Sequence, residues 1–363
     1  MTESSGEEND PYRDIFGSDG RVLLFSCRRF IDDIVVGDAC FICGAWPHEK
    51  RFNNEHIIPK WLLRRFGLFD REITLPTGEL RRYRGYTTPC CEECNSRLGE
   101  LVETPVSKLL AGDYASVAGR LDDSGRELLF VWLNLLFLKV HLKDRRVRVH
   151  RDPRVGDEKI GDFYDWTDLH HVHAVARCSY TGAKLSPGVV GSLQVFEIEG
   201  ALTGDAYDYL DFTFDQTVIL RLGKVGIVAT LNDSTAAERA WSHRLKLIDG
   251  PLTELQLREV GAMFALANRD LVYRPSFSTV AVEGKWVLIQ AHRPPLELPD
   301  MDPRAFGEAL LFAVRNFVSS RAIEVDGTRD PEKVAAAIAT GHVRFLTDAD
   351  GNFFRPPVLR EIP

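Results

Sequence analysis

Two Cys-x-x-Cys pairs, Cys40/Cys43 and Cys91/Cys94, constrain this chain more than any other feature. One such pair is ambiguous. Two of them about 50 residues apart, the second opening a helix-like segment, fit a single closed tetrahedral Zn²⁺ site. Cys90 competes with Cys91 for the third ligand position, and the equal spacing of the two pairs favours Cys91. Four sulfur ligands leave no open coordination position, so this ion is expected to hold the fold and do no chemistry. Its removal is expected to unfold the segment around it.

At 363 residues the chain exceeds what one hydrophobic core usually organises. The expected division is an acidic disordered tail at 1–20, a small zinc-stapled domain at 21–110, and a larger mixed α+β domain at 111–363. The first ten residues are acidic and polar, with neither the basic nor the apolar region of a secretory signal. Seven cysteines, an odd number with four spaced as ligands, point to reduced thiols and a cytoplasmic setting; Cys27 and Cys178 read as plain buried thiols. The most apolar stretch, Leu128 to Val140, is interrupted by Asn134 and Lys139 and is too short for a bilayer, so no membrane role is expected.

The net charge of −8 argues against a nucleic-acid coat over the whole surface, because neutralising phosphates takes clustered Lys and Arg. Two local clusters remain: Leu80-Arg-Arg-Tyr-Arg-Gly-Tyr86, and the run from Lys143 to Arg151. Pro59, Trp61-Leu62-Leu63, Phe66 and Gly67 predict a short helix whose exposed side carries Arg64 and Arg65. Glu72–Leu75 and Leu80–Thr87 flank a Pro-Thr-Gly-Glu turn and predict a hairpin. A helix is expected from Glu92, with Thr104-Pro105 starting another, and a buried helix from Arg126 to His141. Beyond it, strands are expected at 189–198, 217–221, 226–231 and 286–290, and helices at 253–268, 303–321 and 331–340.

Between the cysteine pairs lies Glu55-His56-Ile57-Ile58-Pro59, and the second pair runs straight into Asn95. In this order the motifs resemble the HNH endonuclease superfamily over about residues 38–105. The resemblance implies a ββα-metal domain, a β-hairpin and helix closed around one catalytic metal. It implies that His56 is the general base for a water attacking phosphorus, and that Glu55 and Asn95 hold a Mg²⁺ or Mn²⁺ ion, with Glu103, two turns beyond Asn95, a further candidate ligand. The family's central Asn has no counterpart between His56 and Asn95, and Thr87 or Thr88 would stand in for it. Arg64, Arg65, Arg81, Arg82 and Arg84 are the candidate phosphate contacts.

The expected function is therefore metal-dependent phosphodiester hydrolysis, on DNA rather than RNA. A regulatory ligand or partner protein would act through residues 111–363, and oligomerisation is left open. Joining such modules to sensing domains in bacterial defence is an analogy only. The alternative is a zinc-bearing nucleic-acid-binding or protein-interaction module without catalysis, or a nuclease subunit active only inside a larger complex. His170-His171-Val172-His173, read as a strand, could offer two ligands from one face but lacks a matching partner pair. Thr181-Gly-Ala-Lys184 lacks the remaining residues of a phosphate-binding loop.

Overall fold

Ile15–Phe16 (β1) pairs antiparallel with Val22–Leu24 (β2), so regular structure begins inside the stretch expected to be a tail. The structure is a computed structural model and describes residues 13–75, 77–152, 154–200, 206–282 and 286–355; residues 1–12 of the expected tail lie outside these. The chain is a mixed α+β protein that divides into two compact units. No helix among the described residues is long and apolar enough to cross a membrane.

The first unit comprises the chain to Ala111, then Arg120–Val189 and Ser276–His292. It thus extends past the boundary expected near residue 110. Phe52–His56 (β3) leads into the short helix Lys60–Arg65 (α1), capped by Pro59 rather than starting with it, and Gly67 follows its C-terminus at φ +62°. Glu72–Thr74 (β4) and Leu80–Arg82 (β5) form the expected hairpin, but its second strand stops at Arg82. Thr87–Cys91 (β6) instead pairs antiparallel with β3, in the register Phe52↔Cys91 to His56↔Thr87. Glu92–Leu98 (α2) follows at once, so strand, strand and helix meet at the second cysteine pair. Thr104 does not cap a new helix. Residues 98, 103 and 104 keep helical backbone angles, and α2 passes through the wider turns of Gly99–Glu103 into Thr104–Leu109.

Asp122 caps the long helix Asp123–Asp144 (α3), accepting from the Gly125 amide at 2.8 Å. Most of this helix is buried, including Trp132, Phe137 and Lys139. It packs on His170–Ala176 (α4), so the histidine run is helical and not a strand. On a helix His171 lies about 100° from His170 and His173 about a further 200° on, so His171 and His173 do not share the one face that alternation along a strand would give them. Ser276–Val282 and Trp286–His292 complete the unit as an antiparallel strand pair, the second strand of which pairs parallel with Lys184–Leu185.

The second unit holds Leu193–Glu197 (β7), Tyr207–Phe212 (β8), Thr217–Leu222 (β9) and Val225–Thr230 (β10), an antiparallel sheet in the order β7-β10-β9-β8. Glu254–Arg269 (α5) lies across it, followed by Pro303–Ser319 (α6) and Pro331–Ala339 (α7). Gly261 permits the close seating of α5, because a Cβ there would stand 2.1 Å from the Ile219 side chain. Phe196, Ile219, Leu257, Phe264, Leu310 and Phe317 belong to the resulting core.

Candidate functional site

Cys40 and Cys43 lie in a tight turn in which the Cys40 amide donates to the Ala45 carbonyl and the Gly44 amide to the Cys40 carbonyl, each at 2.8 Å. Gly44 adopts φ +77°, and a Cβ at that position would meet the Phe25 ring at 2.6 Å, so only glycine closes this turn. Cys91 caps α2, its sulfur accepting from the Cys94 amide at 3.4 Å. The four sulfurs of Cys40, Cys43, Cys91 and Cys94 lie within 4.8 Å of one another, with Cys43 and Cys91 at 3.7 Å. A tetrahedral ion with metal–sulfur bonds of 2.3 Å requires sulfur–sulfur separations of about 3.8 Å. The donor set and its spacing therefore suit a structural Zn²⁺, and among the described residues this is the group able to hold a metal. Cys90 stays outside the four, 3.8 Å from Cys40; that neighbouring sulfur and burial both keep it a thiol.

Arg177, which belongs to no motif, and His173 of the histidine run support the first cysteine turn. Arg177, fully buried, donates to the carbonyls of Ile42 (2.6 Å), Val22 (2.5 Å) and Leu23 (3.2 Å), and its guanidinium lies 4.4 Å from the Phe25 ring centroid. His173 meets the Phe41 carbonyl at 2.9 Å, while His170 meets that of Phe25 at 2.6 Å. His171 stacks on Phe277 with centroids 3.6 Å apart. The histidine run thus braces the unit. Its one sequence signal is the apolar setting of its members, which reads equally as core.

The β3–β6 pair carries Cys91, one of the four cysteines able to hold the metal, at one end and His56 at the other. Along β3, alternation places Asn53 and Glu55 on one face and His56 on the other. The wider turns at Gly99–Glu103 advance the helix by roughly 80° per residue instead of 100°, which swings Glu103 to nearly the same side as Asn95. Asn95 Nδ2 accordingly donates to Asn53 Oδ1 at 2.6 Å, and Glu103 turns toward Glu55.

Between the two carboxylates lies Lys139 of α3. Its ammonium donates to Glu55 Oε1 at 2.7 Å, to the His56 carbonyl at 2.9 Å and to Glu103 Oε1 at 3.3 Å, which uses all three of its protons. The lysine is 1% exposed and Glu55 8%. Burial opposes the charged ammonium, but Glu55 and Glu103 outweigh it and hold Lys139 above the ordinary lysine value. Burial lifts Glu103 above the ordinary carboxylate range against the pull of Lys139.

The Mg²⁺ or Mn²⁺ ion expected from Glu55, Asn95 and Glu103 does not fit this arrangement. A divalent ion between the carboxylates would stand against an ammonium already in hydrogen-bond contact with both, and Asn95 is engaged with Asn53 instead. Burial, reinforced by Lys60, holds half-buried His56 below the ordinary histidine value, with Glu55 opposing. Its imidazole is therefore neutral at pH 7. Thr87 lies opposite His56, and Thr88, buried, opposite Glu55.

The candidate phosphate contacts scatter. Arg64 and Arg82 are exposed, whereas Arg65 donates to the Leu110 carbonyl at 2.6 Å. Arg84 pairs with Asp70, and Arg81 with Glu79 at 2.9 Å. Tyr86 is buried and donates to Asp144 at 2.9 Å, so it is no stacking platform for a base. No protein-family model, curated protein or solved structure matches this chain.

Proposed function

We propose that the first unit acts on nucleic acid as an HNH-type phosphodiesterase with His56 as its general base. The observation that supports this reading is the strand–strand–helix order of β3, β6 and α2, closed by four converging cysteines and ending on a histidine kept neutral by burial. In the proposed step, His56 removes a proton from water as the oxygen attacks phosphorus, the bond to the leaving sugar oxygen breaks with that oxygen taking a proton from solvent, and the imidazolium then returns its proton to solvent. Lys60 on α1, close enough to depress His56 electrostatically, suits the phosphate as a cationic contact. The second unit we assign to control of this activity.

One observation favours a second reading. Lys139 already neutralises the carboxylates that would hold a catalytic metal, as it would in a module that binds nucleic acid without cutting it. Plasmid DNA and a structured RNA are incubated with the full chain, with Mg²⁺, Mn²⁺ or chelator, beside His56→Ala. Cleavage lost in His56→Ala supports the first reading. Binding without cleavage in any condition supports the second, and cleavage that survives the substitution overturns the role of His56.

A further inference from the structure

The first unit brings Arg81 of the first basic cluster and the run from Lys143 to Arg151 onto one cleft of about 820 Å³. Segments 34–41, 77–81 and 142–151 form its walls, with Thr88 and Pro89 of β6 between them. Arg81, Lys143, Arg145, Arg146, Arg148 and Arg151 all line it, against two carboxylates, Asp38 and Glu79. In a chain of net charge −8 this local excess is large.

The cations are only partly compensated. Arg146 pairs with Asp38 at 2.7 Å and Arg81 with Glu79 at 2.9 Å, and Arg148 pairs outside the lining with Asp157 at 3.1 Å. Arg145 spends its donors on backbone carbonyls, including those of Val35, Leu142 and Gly37. Burial, with Arg146 beside it, presses Arg145 down to about 10. Burial and the nearby Arg81, Arg145 and Arg146 likewise lower Lys143, against the opposing pull of Asp144. Like charges gathered in a half-buried cavity repel one another until an anion joins them.

We propose that this cleft is a binding site for a compact polyphosphate, either a nucleoside triphosphate or an inorganic polyphosphate chain. Its volume lies within the range of small-molecule pockets, about 300–1,000 Å³. The cations meet on one cavity from two segments, Arg81 from one wall and the run from Lys143 to Arg151 from another, and the carboxylates on its walls oppose a continuous phosphate track. Asp38 and Glu79 suit sugar hydroxyls or base amines as hydrogen-bond acceptors. Lys143 stands one helical turn along α3 from Lys139, and Thr88 is the cross-strand partner of Glu55, so an occupant lies beside the Glu55–Lys139–Glu103 cluster.

The test is calorimetric titration of the full chain with sodium tripolyphosphate and with ATP, at fixed ionic strength and without divalent metal. Saturable binding that weakens at least tenfold in Arg148→Gln, and further in Lys143→Gln/Arg148→Gln, is expected, with Arg28→Gln outside the cleft unchanged. ATP tighter than tripolyphosphate assigns a nucleotide, and equal affinity assigns the polyphosphate alone. Arg148 is exposed, so its variant keeps the result readable if the double variant fails to fold. No saturable binding, or equal affinity in wild type and Arg148→Gln, overturns the proposal. So does binding of a duplex oligonucleotide that depends on Arg148 while neither polyphosphate binds. The readout is independent of cleavage, and His56→Ala is expected to bind polyphosphate as wild type does.

Discussion

Replacing Lys139 by Met tests the most consequential contact in the first unit. The substitution nearly conserves volume but leaves Glu55 and Glu103 facing each other in a buried site, with the His56 carbonyl deprived of its donor. Breaking a buried ion pair by removing one partner typically costs about 3–5 kcal/mol, so a loss of about 4 kcal/mol is expected at pH 8. Part of this is recoverable by protonation. Glu103 is already lifted by burial, and without the ammonium that lowers it, the variant's carboxyl pair takes up a proton more readily still. A carboxyl raised in the folded state contributes stability as pH falls through that raised value, so the deficit shrinks between pH 8 and pH 5. Adding Glu55→Gln removes the like-charge pair and is expected to recover about half of the loss. Five of the six tryptophans lie in the first unit, so tryptophan fluorescence in urea reports mainly on it. For a slope of about 2–3 kcal/mol/M the midpoint falls by about 1.3–2 M. A loss under 1 kcal/mol at pH 8, or one of equal size at pH 5, refutes the reasoning.

Other outcomes are expected from the same geometry. The purified chain should carry one zinc per molecule by elemental analysis, and Cys43→Ser or strong chelation should unfold the first unit, seen as loss of its tryptophan transition. Arg177→Met strands the carbonyls of Ile42, Val22 and Leu23 and should cost about 3 kcal/mol or more while speeding zinc release to a chromogenic chelator. Burial pushes His171 down to about 3, so the unfolded chain takes up a proton below pH 6.5 that the folded chain refuses. Stability from this group is complete above pH 6.5 and falls by about 1.4 kcal/mol per pH unit below it; His170 and His173, also lowered by burial, add to the acid slope, and urea titrations of His171→Leu should show it reduced by this one contribution. If His56 is the base, the acid limb of the cleavage pH profile should have its midpoint below 6.5, because the depressed imidazole is already neutral there.

Much of the secondary structure was legible where local chemistry decides it. Asp330 and Gly341 bracket α7 as their caps require, and the equal cysteine spacing selected the four sulfurs that converge. What failed to show was long-range. Pairing of β3 with β6 depends on register across about 35 residues, whereas the Pro-Thr-Gly-Glu sequence favours only the local hairpin. Glu55 looked like a metal ligand because the lysine that reaches it comes from a helix 84 residues away, where Lys139 registered only as a flaw in an apolar run. The underwound turns at Gly99–Glu103, which redirect Glu103, left no composition signal. Arg177 was invisible for the same reason: its partners are backbone carbonyls, which no residue type advertises.

The order in which the first unit is assembled bears on how the protein is made. Its strand pair Ser276–Val282 and Trp286–His292, which supplies Phe277 against His171 and pairs with Lys184–Leu185, begins about 165 residues after Ala111. At translation rates of about 5–20 residues per second, the ribosome needs on the order of ten to forty seconds to deliver that last piece. During that interval His171 lacks its stacking partner Phe277, and Lys184–Leu185 lacks its strand partner. A nascent chain of this design cannot complete its first unit until the second unit's sheet, which precedes residue 276, has also emerged.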